Sequence, residues 1–349
     1  MRWDELTVEE QARRTLPGFR DPATVRTFEA PEAMDVRFHE VQARSAINKV
    51  PDRSRMPFRW TINPYRGCHH ACTYCFARPT HTYLDMNARR DFEREIVVKV
   101  NAPELVRREL ARPSWKGEHV AMGTNTDPYQ WVEGRYRLMP GIWEAMRDFA
   151  NPCSILTKSP LLLRDRQLLE QVNARAAVTA SFSVPTLDEK TWRATEPHTP
   201  HPRARLEAVA ELNRIGIPTG ILIAPLMPGV NDSPEQVERI VQIATDAGAV
   251  SIGGIALHLR GEVRDIFFDW LRESRPDLIP MYERLYARGA YAPKEVQERM
   301  RRMASAPGSP PRRFLKDRDQ PARRGRRGSS RPREEARGAR PVTSQGSLF

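Results

Sequence analysis

The sequence predicts an α/β protein built on a parallel sheet, and three observations carry that reading. Six short runs rich in β-branched or other apolar residues recur at 60–65, 119–123, 153–158, 178–184, 219–226 and 251–259. Helix-like stretches at 103–112, 140–149, 164–174, 203–215 and 234–247 lie between them. Several stretches open on a first-turn proline and stop near Gly216 or Gly248, because proline's fixed φ starts a helix and glycine's left-handed freedom ends one. Strands alternating with helices at this interval pair in parallel, since a parallel neighbour needs a crossover long enough to hold a helix.

Residues 1–57 are polar, carry Pro17, Pro22, Pro31 and Pro51, and read as an N-terminal extension draped on a core of 58–275. The first strand runs directly into a loop with three cysteines. The second leaves through Gly123, Thr124, Asn125, Thr126 and Asp127, and the third through Thr157 and Lys158. The fourth places Thr179, Ser181 and Ser183 on one face by the two-residue strand period, odd for a core and sensible for a ligand. The fifth has an apolar centre and an exit, 228–232, where Asn231 or Asp232 is expected to cap the next helix. The sixth leads to His258 and Arg260, which can face a substrate. Beyond it, 263–271, 277–288 and 294–303 read as helices, the last two within a C-terminal unit of 276–304. Residues 305–349 are rich in Pro, Gly, Ser and Arg and are expected to be disordered, having too little apolar surface to offset chain entropy.

The chain has 349 residues, 40% hydrophobic and 29% charged, with a mean hydropathy of −0.61. No run of 18 apolar residues occurs and the opening residues lack a signal-peptide core, so neither a membrane span nor secretion is expected. Four cysteines, three of them clustered, argue against a disulfide-built secreted protein and for a reducing cytoplasm. Net charge is +12, of which residues 305–349 carry +8, so the basic excess is mostly in the tail. A basic tail suggests contact with a polyanion.

The cysteines at 68, 72 and 75 have the spacing C-x3-C-x2-C, with Tyr74 before the third. Thiolates ligate iron–sulfur clusters, and three protein ligands on a four-iron cubane leave one iron open. A structural zinc site wants four closed ligands, usually as two pairs. No second pair exists, since Cys153 stands alone downstream. An incomplete zinc site and three unrelated thiols are the competing readings. His69 and His70 read as solvated loop residues, Cys153 as a small buried residue, and Glu196 with Arg205 either as a salt bridge or as part of a site.

At this motif the chain resembles the radical S-adenosylmethionine superfamily, whose signature is C-x3-C-x-aromatic-C. The resemblance implies a partial (β/α)6 TIM-type barrel with ligands at the carboxyl ends of its strands. It implies a 4Fe–4S cluster on Cys68, Cys72 and Cys75, with S-adenosylmethionine on the open iron, cleaved reductively to a 5′-deoxyadenosyl radical. It implies cofactor contacts from Tyr74 at the adenine, from Gly123, Thr124, Asn125, Thr126 and Asp127 at the amino group, and from Lys158, Ser181 and Ser183 at carboxylate or ribose. It also implies an electron donor such as flavodoxin or ferredoxin, and it names no catalytic residue.

The segments N-P-Y-R-G-C, T-D-P-Y-Q, T-K-S, E-P, A-P-x-x-P-G-x-N-D and W-L, between about 59 and 290, resemble the spore-photoproduct-lyase-like subgroup. Its members imply nucleic-acid repair or modification. A peptide, tRNA or small-molecule substrate, or an adaptor without turnover, are the alternatives. In the true lyases a cysteine between the cluster loop and the third strand returns hydrogen to the product. None lies between Cys75 and Cys153 here, and Phe76 stands where a tyrosine often does. The terminal Gln345-Gly-Ser-Leu348-Phe349 resembles the pentapeptide that docks replication and repair proteins on the bacterial sliding clamp. DNA and that clamp are therefore the expected partners, with the arginine-rich tail adding salt-dependent affinity.

Overall fold

The computed structural model describes residues 15–27, 35–52, 54 and 56–305. The predicted disordered tail, including Gln345, Leu348 and Phe349, falls almost wholly outside them.

Eleven strands are present among the described residues: β1 Thr24–Arg26, β2 Arg37–Val41, β3 Ile47–Lys49, β4 Trp60–Ile62, β5 Tyr65–Arg66, β6 Glu95–Lys99, β7 Val120–Met122, β8 Cys153–Thr157, β9 Val178–Ser183, β10 Thr219–Leu226 and β11 Ile252–Ala256. The helices are α1 Arg90–Arg94, α2 Ala102–Leu110, α3 Glu133–Tyr136, α4 Leu138–Asp148, α5 Arg166–Asn173, α6 Glu189–Thr195, α7 Pro202–Arg214, α8 Pro234–Asp246, α9 Val263–Ser274, α10 Ile279–Leu285 and α11 Lys294–Met303.

The main sheet runs β11-β10-β9-β8-β7-β4-β3. Its six strands from β4 to β11 are mutually parallel, and β3 adds antiparallel to β4. Each predicted strand contains one of the six. The edges β11 and β3 do not pair, so the sheet is an open, partial (β/α)6 barrel. In β8 and β9 alternate residues are buried, Ile155, Ala180 and Phe182 among them, and Trp143, Phe182, Leu212, Ile223 and Ile240 lie in one core between sheet and helices. Cys153 opens β8 fully buried in that core.

The helix ends follow their local chemistry. Pro202 begins α7, and Gly216 and Gly248 take φ of 81° and 73° just past α7 and α8. The cap of α8 is Ser233, which accepts from Gln236 N, and not Asn231 or Asp232 as expected. Asn231 is buried and turned inward: it donates to the Pro185 and Pro225 carbonyls at 2.8 and 3.0 Å and accepts from Met227 N at 2.6 Å. It therefore ties the exit of β9 to the exit of β10. The expected helix at 277–288 is a short 3-10 turn, Pro276–Leu278, leading into α10. Tyr282 of α10 and the following Tyr286 donate to the Pro228 and Leu257 carbonyls at 2.9 and 2.8 Å, fixing the chain beyond β10 and β11.

A second sheet, β1-β2-β6-β5, was not foreseen. It joins part of the N-terminal region to β6, and its last strand, β5, leads straight into the cysteine loop. Glu95 locks β2 to β6 by accepting from His39 Nε2 at 2.7 Å and Arg37 Nε at 2.8 Å. β1 and β2 thus build the sheet whose edge strand, β5, feeds the loop.

Candidate functional site

The cysteine loop leaves β5 through Gly67, at φ 80°, where an added Cβ would lie 2.9 Å from both Phe92 O and Ile96 Cδ1. Only glycine fits that approach. Two side chains and one main-chain carbonyl then satisfy backbone groups of the loop. Arg78, 2% exposed, donates from Nε to Cys72 O and from Nη2 to Ala71 O, both at 2.9 Å. Gln130 accepts from His69 N at 3.0 Å and donates to Gly67 O at 3.2 Å. Thr73 N donates to Thr195 O at 3.0 Å. The loop is pinned along most of its length.

Cys68, Cys72 and Cys75 are free thiols on this loop. Burial pushes the Cys68 thiol up to about 12, with Asp127 and Cys75 adding to it, and burial also raises Cys72 and Cys75. Three thiols whose burial and mutual charge disfavour a bare thiolate need positive charge to ionise. Iron supplies that charge, so the donor set fits a cluster.

His69 and His70 are 6% and 3% exposed, which corrects their reading as solvated. The His69 ring stacks on His198 at 4.9 Å and meets Trp131 edge-on at 5.3 Å. Burial holds both imidazoles neutral, at about 3 for His69 and about 4 for His70. His70 Nδ1 lies 3.5 Å from Asp127 Oδ2.

A buried polar network meets the loop, built from Lys158 and Ser183 at the ends of β8 and β9, Glu196 at the end of α6 and Arg205 in α7. Glu196 is fully buried; its Oε2 accepts from Arg205 Nη2 at 2.7 Å and its Oε1 accepts from the Tyr74 hydroxyl. Lys158 Nζ donates to Ser183 Oγ at 2.8 Å, lies 3.5 Å from Glu196 Oε1, and stands 5.8 Å over the Tyr74 ring. Arg205 Nη1 donates to Ser183 O at 2.9 Å. Burial pushes the Glu196 carboxyl up, but Arg205 and Lys158 together outweigh it and hold it at about 2. The pair Glu196–Arg205 is a fully buried salt bridge, and three of the foreseen residues, Tyr74, Lys158 and Ser183, join it in one cluster.

The second strand's exit divides by role. Asp127 accepts from Thr157 Oγ1 at 2.6 Å and from Lys158 N at 2.7 Å, bracing the exit of β7 against that of β8. Thr126 donates to Tyr65 O at 3.0 Å, and Asn125 N donates to Asn63 Oδ1 at 3.2 Å. Thr124, Asn125 and Ser181 are half-buried along the strand ends. Gly123, at φ 77°, packs against β8 so closely that a Cβ would overlap the Leu156 carbonyl. Gly123→Ala is expected to destabilise the chain by about 3 kcal/mol, from left-handed strain plus overlap with backbone. A lowered urea midpoint at unchanged slope is the readout; an unchanged midpoint contradicts it.

Sequence reasoning missed Arg78 and the clamping role of Gln130, although Gln130 closes the quoted T-D-P-Y-Q segment. Their common signal is a donor-rich side chain near a loop whose backbone has no ladder to join.

Comparison with known proteins identifies the family and the fold. A family model described as the radical SAM superfamily matches residues 62–248. The uncharacterized protein Rv2578c of Mycobacterium tuberculosis is 44% identical over 286 residues, 82% of this chain and 84% of that protein. The uncharacterized protein MJ0683 of Methanocaldococcus jannaschii is 28% identical over 195 residues, 55% of this chain and 69% of that one. Spore photoproduct lyase, solved in complex with dinucleoside spore photoproduct, shares the fold at a TM-score of 0.54 and 16% identity, over 76% of this chain and 78% of that chain. No helix among the described residues is long and apolar enough to cross a membrane. With more than half of its length matched, the chain belongs to the radical SAM superfamily, an enzyme of that type whose cofactors are a 4Fe–4S cluster and S-adenosylmethionine.

Proposed function

We propose that Cys68, Cys72 and Cys75 hold the cluster and that the enzyme repairs or modifies nucleic acid. The observation that supports the site assignment is the meeting of the pinned thiol loop, through Tyr74, with Glu196, Lys158 and Ser183. When bound, the cluster and S-adenosylmethionine supply reductive cleavage to a 5′-deoxyadenosyl radical, while the protein binds, orients and shields.

The chain's own groups have distinct tasks. Glu196 stays ionised and fixes the Tyr74 ring through its hydroxyl. Among the described residues Lys158 Nζ makes one close hydrogen bond, to Ser183, and stays 3.5 Å from Glu196. Its remaining N–H groups would meet the cofactor's carboxylate as a point charge. Gly123, Thr124 and Asn125 offer acceptors for the amino group, and Ser181 and Ser183 offer hydroxyls. Thr126 and Asp127, expected among the contacts, brace the backbone that carries them. Arg78 and Gln130 hold the loop so that cluster assembly does not have to order it.

The nucleic-acid assignment is supported by the likeness of fold to spore photoproduct lyase and by the basic tail. Docking on the sliding clamp through Gln345, Leu348 and Phe349 belongs to the same reading; the tether would raise the local concentration of DNA. Anaerobically reconstituted enzyme, dithionite, S-adenosylmethionine and a panel of deuterium-labelled DNAs, lesioned and intact, provide the test. Label appearing in 5′-deoxyadenosine is expected. Release of 5′-deoxyadenosine with no label from any DNA contradicts the substrate assignment, and no release at all contradicts turnover.

A further inference from the structure

An exposed aromatic ribbon starts at the residue after the third cluster cysteine. Phe76 follows Cys75 in the chain and is 52% exposed. Its ring meets His258 edge-on at 5.9 Å. His258 forms an isolated antiparallel bridge with Tyr291, which places their rings 5.7 Å apart. Tyr291 is itself 52% exposed, and the Arg260 guanidinium stands 5.9 Å over its ring. Among the described residues no carboxylate pairs with Arg260, which is exposed.

A single exposed aromatic is ordinary on a protein surface. Two half-exposed rings bridged by an imidazole and ending on an unpaired arginine form a specific chemistry. Flat π faces accept nucleobases in stacking contact, largely without regard to which base is presented, and arginine accepts phosphate. Burial, with Arg260 adding to it, lowers the affinity of His258 for a proton. Its ring is therefore held neutral between the two exposed rings.

The ribbon is also in the right place. His258 follows β11, the edge strand of the open barrel, while Phe76 belongs to the cysteine loop. The rings thus link the barrel's open edge to the loop. A base extruded from a duplex, or already single-stranded, has its face free for such a surface.

We propose that Phe76, His258 and Tyr291 form a stacking platform for an unpaired base of a nucleic-acid strand, with Arg260 receiving its phosphate. The platform deepens the radical SAM reading and rests on it, since a base held there lies beside the third cysteine.

The test uses the full reconstituted chain and two fluorescein-labelled pentanucleotides, one of thymidine and one with abasic residues throughout. Fluorescence anisotropy at several salt concentrations gives both affinities. The parent chain is expected to prefer the base-bearing strand by about tenfold. Phe76→Ala or Tyr291→Ala removes that preference, whereas Phe76→Trp retains it. Arg260→Gln weakens both strands alike and reduces the salt slope by about one. The arginine-rich tail contributes equally to every variant. Absence of a preference in the parent overturns the platform, whatever other ligand the chain then binds. So does a preference that survives both alanine substitutions. The EPR response of the parent's reduced cluster to S-adenosylmethionine is read separately. If that response is present while the preference is absent, the platform fails and the radical SAM reading stands; if it is missing, the underlying reading fails as well.

Discussion

Cys72→Ala is expected to reduce cluster iron to background after anaerobic reconstitution and to abolish 5′-deoxyadenosine release, while the chain stays folded. Cys72 is buried in one apolar cluster with Tyr74 and Met227, and its carbonyl is held by Arg78. The backbone of the loop is thus ordered by its own hydrogen bonds, and what the substitution removes is one of three thiolates that share the cubane's charge. Cys153→Ala provides the contrast. It deletes a sulfur from the apolar core at the far end of β8 and should leave iron content unchanged, with a modest loss of stability. Iron retained in full by Cys72→Ala, or lost in Cys153→Ala, would show that the cluster is held elsewhere.

Arg205→Leu is the second large effect. Both side chains of the Glu196–Arg205 pair are completely buried, so removing the cation leaves a carboxylate that only Lys158 opposes. Breaking a buried pair in this way costs about 3–5 kcal/mol, whereas replacing both partners with apolar residues costs much less. The double variant Glu196→Leu/Arg205→Leu should therefore recover much of the stability lost by the single one. It should not recover cofactor binding, because Glu196 also fixes Tyr74 and lies beside Lys158. The same pair predicts a pH dependence. The folded pKa of Glu196, about 2, lies below the ordinary carboxylate value. Its contribution is complete above about pH 4.3, the unfolded value, and is lost as pH falls through the folded one. Urea midpoints of the parent should fall across that window, and Glu196→Gln should show a shallower fall. Equal slopes in the two proteins would contradict the assignment.

The legible parts of this fold were those set by local pattern. The six parallel strands could be read because each has an apolar centre and is separated from the next by a helix with proline and glycine punctuation. The cysteine loop was legible because three ligands of one type at fixed spacing are rare by chance, and strand ends drew attention to Lys158 and Ser183. What escaped the sequence was set by distant partners. β2 and β6 are short, and each becomes a strand by pairing with the other across more than fifty residues. His69 and His70 carry polar rings on a loop, so nothing local revealed that Trp131 and His198 cover His69. Asn231 precedes a helix as a cap would, but Ser233 occupies that role because Asn231 can satisfy three backbone groups at two strand exits instead. Arg78 and Glu196 are charged residues whose burial is intelligible only once the carbonyls and the guanidinium they meet are known.

The most direct measurement is the EPR spectrum of the anaerobically purified, dithionite-reduced protein before and after S-adenosylmethionine is added. A 4Fe–4S signal carried on Cys68, Cys72 and Cys75, whose line shape changes on addition because one iron has no protein ligand, is the expected result. Stoichiometric zinc in place of iron, or a cluster signal indifferent to the added sulfonium, would contradict it.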